Sequence, residues 1–230
     1  MNAKKLDGAD SHKHVSNEVS PEAYQSPPWW YDIRGFFILT FAYRDTLWSQ
    51  INFFNRNIGR IHLEAAIGTG TLSHYILKYR QITKQPDDFV FYGVDYSPAM
   101  LDGAKQRFKE KNVVIELGDL TSLKFKNETF HTINLANSFH TIKDIQLALN
   151  ELNRVLKSEG TIAINALLYP GKKGILNTIS NSVNAWGQRK GILYRPYEES
   201  EIQQIVENAN FKVLFKMKKG NALYLKCKKN

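Results

Sequence analysis

Residues 63–70, Leu-Glu-Ala-Ala-Ile-Gly-Thr-Gly, join a predicted β-strand to a predicted helix. Gly68 and Gly70 can let the backbone approach a bound ligand closely, because glycine has no side chain. The helix that follows offers free N–H groups at its N-terminus, which favour a carboxylate or a phosphate. We therefore predict that this turn borders a ligand, although a Gly-x-Gly turn alone is a weak signal.

Three further polar segments follow the next three predicted strands. Asp95 stands 25 residues after Gly70, and a carboxylate there can accept hydrogen bonds from both vicinal hydroxyls of a ribose. Asp119 could accept a hydrogen bond from the exocyclic amine of adenine. The last segment is Asn-Ser-Phe-His at residues 137–140. Open α/β sheets bind ligands at the carboxyl ends of their strands, so the four segments together predict one site.

The elements that would position these residues alternate from residue 60 onward. Ser97-Pro98 is typical of a helix start, with a capping side chain followed by proline in the first turn. Alternating strands and helices indicate a mostly parallel sheet covered on both faces. We predict strands at residues 60–66, 89–95, 113–117, 132–136, 161–167, 212–217 and 223–226, and helices at residues 71–80, 98–111, 142–156 and 199–209.

The chain divides into three predicted regions. Residues 1–20 are polar and without periodicity, which is typical of a flexible tail. Within residues 21–58, ten of the 28 aromatic residues fall between residues 29 and 54. We predict one or two amphipathic helices there that either pack on the sheet or form a lid over a ligand pocket. Residues 59–230 form the main domain, with an insertion at residues 169–197 on the substrate side.

The composition excludes several kinds of chemistry. A single cysteine, Cys227, allows neither a disulfide framework nor an iron–sulfur cluster, and no metal site is predicted. The net charge of +9 is scattered along the chain, so nucleic acid is a partner that we consider but do not favour. The longest apolar run, residues 35–43, is too short to cross a bilayer. We expect a cytoplasmic protein, because no signal pattern is present.

From residue 61 to residue 227 the chain resembles class I S-adenosylmethionine-dependent methyltransferases, closest to the type 11 group, which includes quinone-biosynthesis enzymes. The resemblance rests on residues 63–70, 93–101 (Gly-Val-Asp-Tyr-Ser-Pro-Ala-Met-Leu), 118–120 and 149–164. It implies a Rossmann-like, seven-stranded, mostly parallel sheet with helices on both faces and an antiparallel C-terminal strand. It also implies S-adenosylmethionine as the cofactor and S-adenosylhomocysteine as the product.

The family's cofactor-binding roles carry over to matching positions. The turn would border the methionine part, Asp95 the ribose, and Tyr96 and Met100 the adenine. Two departures are Ala66, where the family usually has glycine, and His131, where it usually has aspartate. The positions implied to bind the cofactor are Glu64, Ala65, Gly68, Thr69, Gly70, Asp95, Tyr96, Met100, Gly118, Asp119, Leu120, Asn137 and Ser138.

Methyl transfer by in-line attack needs alignment of the acceptor with the sulfonium, and some acceptors also need a base. His140 is the predicted base, because imidazole titrates near neutral pH. An apolar or aromatic small molecule is the predicted acceptor, although Lys172, Lys173, Arg189 and Lys190 could favour an anionic one. The oligomeric state is not predicted. The residues predicted to contact the acceptor are Trp30, Tyr31, Trp186, Tyr194 and Arg195.

The sequence leaves three alternative functions open. A nicotinamide-dependent oxidoreductase would use residues 68–73 as a dinucleotide fingerprint, but Ser73 stands where the third glycine belongs. An RNA or other polyanion methyltransferase would suit the positive charge, yet the chain has no Asn/Asp-Pro-Pro-Tyr/Phe loop. A binding module that keeps the cofactor fold without catalysis is the third alternative.

Overall fold

The computed structural model describes residues 28–109, 113–171 and 174–230. The predicted flexible tail, residues 1–20, lies outside the described residues, and so does the side chain of Tyr31. Lys172 and Lys173 also lie outside them.

The described residues form one seven-stranded sheet in the order β3-β2-β1-β4-β5-β7-β6. Strands β1 to β5 run parallel, and β7 is antiparallel to both β5 and β6. The predicted Rossmann-like sheet is therefore confirmed, and its strand order reverses between β1 and β4, where such sheets form a crevice. The strands are β1 Ile61–Ala65, β2 Val90–Asp95, β3 Val113–Leu117, β4 Phe130–Leu135, β5 Leu156–Leu167, β6 Phe211–Lys219 and β7 Ala222–Lys229.

Helices cover both faces of this sheet. Along β5, Ile162 and Ile164 pack in one apolar cluster with α5 and α7, whereas Ala163 packs in another with α2 and α3. Successive side chains of a strand project to opposite faces, so the two clusters lie on opposite sides. The helices are α1 Pro28–Phe37, α2 Leu47–Asn55, α3 Thr71–Ile82, α4 Pro98–Arg107, α5 Ile145–Val155, α6 Ile175–Arg189 and α7 Glu199–Asn208, with a π-helical segment at Ile38–Tyr43.

Local sequence signals account for the start of α4 but not for the start of β5. The Ser97 hydroxyl accepts a hydrogen bond from the backbone N–H of Met100 at 3.4 Å, and Pro98 opens α4 as predicted. Strand β5 was predicted to begin at residue 161 but begins at Leu156, directly after α5. Leu156 pairs with Phe130, and the register shifts before Thr132 pairs with Thr161. The polar residues between them sit in this irregular stretch, which explains why the sequence did not indicate a strand there.

Ala66 has a left-handed backbone conformation, with φ at 58°. An L side chain at such a φ costs about 1 kcal/mol that glycine avoids. We predict that Ala66→Gly raises the melting temperature by about 2–4 °C for each kcal/mol of strain removed, measured by calorimetry. The gain is partly offset by the greater chain entropy of unfolded glycine.

Ala65→Gly is the matched control, because Ala65 is the neighbouring buried residue within β1. Glycine in a strand interior costs stability, so this control should melt at a lower temperature than the unmodified protein. Equal shifts for the two variants would contradict the assignment of strain to Ala66.

Candidate cofactor and acceptor site

Residues 66–70, the glycine turn, connect β1 to α3 through three residues at positive φ. Gly68 and Gly70 have φ of 59° and 76°. A Cβ atom on Gly70 would lie 2.5 Å from Cε2 of Phe108, so packing also requires glycine there. A Cβ atom on Gly68 would meet no atom within 4 Å. The turn therefore presents open backbone at Gly68, which is the position where a ligand could approach.

The carboxylate of Asp95 joins this turn to the end of β2. Oδ2 accepts a hydrogen bond from the N–H of Gly68 at 2.8 Å, and Oδ1 accepts one from the N–H of Ser97 at 2.9 Å. The backbone carbonyl of Asp95 accepts from the N–H of Gly118 at 3.0 Å. Burial raises the pKa of Asp95 to about 6, against the opposing effect of the backbone hydrogen bonds from Ser97 and Gly68. Asp95 thus joins its own segment to two of the other three predicted segments, the glycine turn and the loop after β3.

Two adjoining cavities lie at this end of the sheet, one of about 470 Å³ and one of about 130 Å³. The smaller cavity is lined by Asp95, Tyr96, Gly118 and Leu120, all of which the sequence predicted. Glu64 and Thr69 line the larger one. The walls shared by both cavities are Ala66, Gly68, Met100, Asn137, Ser138 and Thr141.

Three predicted cofactor residues lie outside these walls. Ala65 is buried within β1, and Gly70 caps α3. Asp119 is exposed, and its carboxylate accepts hydrogen bonds from the N–H and the hydroxyl of Thr121, each at 2.7 Å. We expected the Asp119 carboxylate to accept from an adenine amine, but it stabilises the turn after β3. Its neighbours Gly118 and Leu120 line the smaller cavity instead.

Asn137 is held by two amide side chains that the sequence analysis missed. Its Oδ1 accepts from Nε2 of Gln50 at 2.7 Å and from Nδ2 of Asn165 at 2.8 Å. Its backbone N–H donates to Oδ1 of Asn165 at 2.6 Å. Asn137 has φ at 56°, a conformation that asparagine tolerates better than most residues. These bonds fix the end of β4 between α2 and β5.

Glu64 belongs to a second buried polar group. Its Oε1 accepts from Nδ2 of Asn134 at 2.7 Å and lies 3.3 Å from Nε2 of His62. Asn57 continues the group, with Nδ2 donating to Oδ1 of Asn134 at 3.1 Å. A buried carboxylate needs such donors, and together they hold Glu64 in the wall of the larger cavity.

Helix α1 is joined to the glycine turn by Asp32. Its Oδ1 accepts from the hydroxyl of Thr69 at 2.9 Å and from that of Thr71, and its Oδ2 lies 2.7 Å from Nη2 of Arg107. Arg107 also donates from Nε to the carbonyl of Thr69 at 3.1 Å. Neither Asp32 nor Arg107 was predicted. Their bonds bring the N-terminal aromatic region over the turn, as a lid would require.

His140 lines the larger cavity, and it is almost completely buried. The Tyr43 hydroxyl lies 2.9 Å from Nε2 and 3.1 Å from Nδ1 of its ring. Burial lowers the pKa of His140 to about 3, so the imidazole is neutral at pH 7. An effective general base has a pKa near the working pH. Catalysis by His140 stays a prediction, and this pKa argues against it.

Four of the five predicted acceptor residues, Trp30, Trp186, Tyr194 and Arg195, do not line either cavity, and the side chain of Tyr31 lies outside the described residues. Trp30, Trp186 and Tyr194 lie at the surface, where they are 44%, 36% and 40% exposed respectively. Arg195 donates from Nη1 to Oε2 of Glu201 at 3.0 Å and lies 4.0 Å above the ring of Tyr197. The far walls of the larger cavity are formed instead by Leu39, Ala42, Tyr43, Val183, Asn184, Gly187, Ile192 and Leu193.

Across residues 28–109, 113–171 and 174–230, no group of three or more His, Cys, Asp or Glu residues could hold a metal ion. Within the same described ranges, no helix has the length and apolarity needed to cross a membrane.

Comparison with known proteins assigns the domain. Residues 63–164 match the model of the family described as a methyltransferase domain, type 11. Residues 63–164 are therefore similar to methyltransferase domains of the type 11 group. The predicted resemblance to the type 11 group is thereby confirmed for these residues, and so is the predicted fold.

Two relatives and one solved structure illustrate the similarity. A demethylmenaquinone methyltransferase from Thermotoga maritima is 32% identical over 111 residues, which are 48% of this chain and 45% of that protein. A demethylmenaquinone methyltransferase from Chlamydia muridarum is 28% identical over 147 residues, which are 60% of this chain and 61% of that protein. The chain thus spans about half the length of these relatives. The structure of an S-adenosylmethionine-dependent methyltransferase from Aquifex aeolicus superposes with a TM-score of 0.64 at 18% identity, covering 89% of this chain and 99% of that one, which bears on the fold alone.

The amide group around Asn137 should contribute measurably to the stability of the methyltransferase domain. Asn165→Ala leaves the N–H of Asn137 without its acceptor, so we predict a loss of about 1–3 kcal/mol in the free energy of unfolding, measured by urea denaturation. Asn150→Ala is the control, because Asn150 is an exposed asparagine on α5. A loss below about 0.5 kcal/mol for Asn165→Ala would contradict the role assigned to the group.

Proposed function

We propose that this protein transfers a methyl group from S-adenosylmethionine to an uncharged small molecule. The observation that carries the proposal is the junction of the two cavities, where Gly68, Asn137 and the buried Asp95 meet a larger space with mainly apolar far walls. The similarity to demethylmenaquinone methyltransferases supports a small-molecule acceptor. A volume of about 470 Å³ lies in the range of small-ligand pockets.

The residues present fit the cofactor that the family implies. Gly68 leaves room for a ligand beside the backbone. The Asp95 carboxylate has about four acceptor sites and three backbone donors, so it can still accept from a ribose hydroxyl. Met100 and Leu120 would flank an adenine in the smaller cavity. The backbone carbonyl of Asn137 would accept from the methionine ammonium. When bound, the cofactor supplies the electrophilic methyl group.

The protein's own contribution is then alignment and the exclusion of water. Asp32 and Arg107 hold α1 over the glycine turn, while Gln50 holds α2 against Asn137. These contacts would keep the acceptor and the methyl group in one closed space. We infer that His140 orients the hydroxyl of Tyr43 by hydrogen bonding, because a base with a pKa of about 3 takes up a proton too weakly to ionise an acceptor.

The proposal is tested first by binding and then by product. Equilibrium dialysis with labelled S-adenosylhomocysteine should show retention by the unmodified protein and weaker retention by Asp95→Asn, by roughly 1–3 kcal/mol if hydrogen bonds to the ribose are lost. Asp102→Asn is the matched control, because Asp102 is an exposed carboxylate on α4. Absence of retention by the unmodified protein would refute the proposal.

A screen with methyl-labelled S-adenosylmethionine against neutral phenols, quinols, carboxylates and total RNA would then identify the acceptor class. Label in a neutral small molecule is the expected result. Label in RNA, with binding that weakens steeply as salt rises, would replace the proposed acceptor with a polyanion.

Cofactor binding should depend on pH through Asp95. The pKa of about 6 means that the carboxyl group is mostly ionised at pH 7 and mostly protonated at pH 5. If the ionised form is the competent one, affinity should fall about tenfold between pH 7 and pH 5, since about one-tenth of the protein remains competent. Dialysis at both pH values checks this, with circular dichroism to verify folding. A pH-independent affinity in the unmodified protein would exclude this role of Asp95.

A further inference from the structure

One face of α6 packs against the π-helical segment and the larger cavity. Its buried residues are Ser180, Asn184 and Gly187, spaced by four and three positions as one side of a helix requires. The Ser180 hydroxyl has both a hydrogen-bond acceptor and a donor. It donates to the carbonyl of Phe41 at 2.6 Å and accepts from Nδ2 of Asn221 at 3.1 Å. Asn184, one turn further on, lines the cavity.

The side chain of Asn184 is 5% exposed, and in the described part of the chain neither its Oδ1 nor its Nδ2 has a hydrogen-bond partner. The other buried asparagines differ in this respect. Their side chains all take part in hydrogen bonds, as seen for Asn55, Asn57, Asn134, Asn165 and Asn221. A buried amide without a partner destabilises a fold by about as much as a lost hydrogen bond. Asn184 therefore carries a stability cost that a ligand could remove.

The walls around Asn184 determine the chemistry of that ligand. We call the walls from the π-helical segment, α6 and residues 192–193 the acceptor half of the larger cavity. They contain Leu39, Ala42, Val183, Ile192 and Leu193, with the hydroxyl of Tyr43 as a further polar group. The charged wall residues come from α1, β1 and α4 instead; they are Asp32, Arg34, Glu64 and Arg107.

We propose that the carboxamide of Asn184 is the polar anchor of the methyl acceptor, an uncharged molecule with an apolar ring body and a hydroxyl or carbonyl group. This inference rests on the proposed methyl transfer, because it assigns the acceptor half of the same site. An amide both donates and accepts, so it can pair with either group. A charged acceptor would remain unpaired among these apolar walls, which is unfavourable.

The test measures binding of two probes, 1-naphthol and naphthalene, to protein saturated with S-adenosylhomocysteine. The variant is Asn184→Leu, which is similar in size but apolar. The matched control is Asn181→Leu, at an exposed position of the same helix. Equilibrium dialysis should show that Asn184→Leu binds 1-naphthol about tenfold more weakly, the effect of one lost hydrogen bond, while its affinity for naphthalene stays within about threefold. Asn181→Leu should change neither affinity.

Stability gives a second readout. Without ligand, Asn184→Leu should melt about 2–4 °C higher than the unmodified protein, because the unpaired amide is gone. If leucine crowds the tight contact between Gly187 and Leu193, Asn184→Ala removes the same amide without added bulk and should show the same selective loss of 1-naphthol.

Equal affinity of Asn184→Leu and the unmodified protein for 1-naphthol would overturn the assignment, as would equal losses for 1-naphthol and naphthalene. Failure of the unmodified protein to bind 1-naphthol would also overturn it. These results differ from failure of the proposed function, which would appear in the same dialysis as a protein that does not retain S-adenosylhomocysteine.

Discussion

The buried carboxylate of Asp95 holds together the loops that form the cleft. It accepts one backbone N–H from the glycine turn and one from the start of α4, while its own carbonyl accepts from the loop after β3. Burial of a carboxylate is unfavourable, and it raises the pKa of Asp95 to about 6. The two backbone donors offset part of that penalty, and donors from a ligand would offset more. The carboxylate that joins the loops of the cleft would therefore also be stabilised by a ligand that donates hydrogen bonds from hydroxyls.

The two ends of the site differ in how completely their polar groups are paired. Around the glycine turn and β4, the side chains of Glu64, Asn137 and Asp32 have protein partners at hydrogen-bond distance. This end is preorganised, as expected for a region that binds a constant ligand. In the acceptor half, Asn184 has no partner among the described residues, and the hydroxyl of Tyr43 pairs with the neutral His140. The unpaired end is where selectivity between acceptors could arise.

Local patterns account for what could be predicted from the sequence. The strands, the glycine turn and the position of Asp95 could be predicted from short stretches of sequence. All of them occur as predicted, apart from boundaries such as the start of β5. Contacts across the fold are not local: Gln50 and Asn137 lie 87 positions apart, and Asp32 and Arg107 lie 75 apart. Trp186 and Tyr194 were predicted to contact the acceptor because they are aromatic. Whether a side chain meets a cavity depends instead on which way its backbone faces in the fold, and that is not visible in the residue type. A polar residue inside an apolar strand, such as Asn165, was the available signal for the missed amide group.

The acceptor half is built from parts of the chain outside residues 63–164, the span that matches the family model. The π-helical segment is one of these parts, and the turn between β6 and β7 holds it in place. Asn221 donates its N–H to the carbonyl of Tyr43 at 2.7 Å, and a Cβ atom on Gly220 would lie 2.4 Å from that same oxygen. The antiparallel end of the sheet thus fixes the position of Tyr43 beside the cavity. Because a shared fold conveys the cofactor region more faithfully than the acceptor region, the acceptor that we propose rests more on Tyr43, Asn184 and their apolar neighbours than on the names of the relatives.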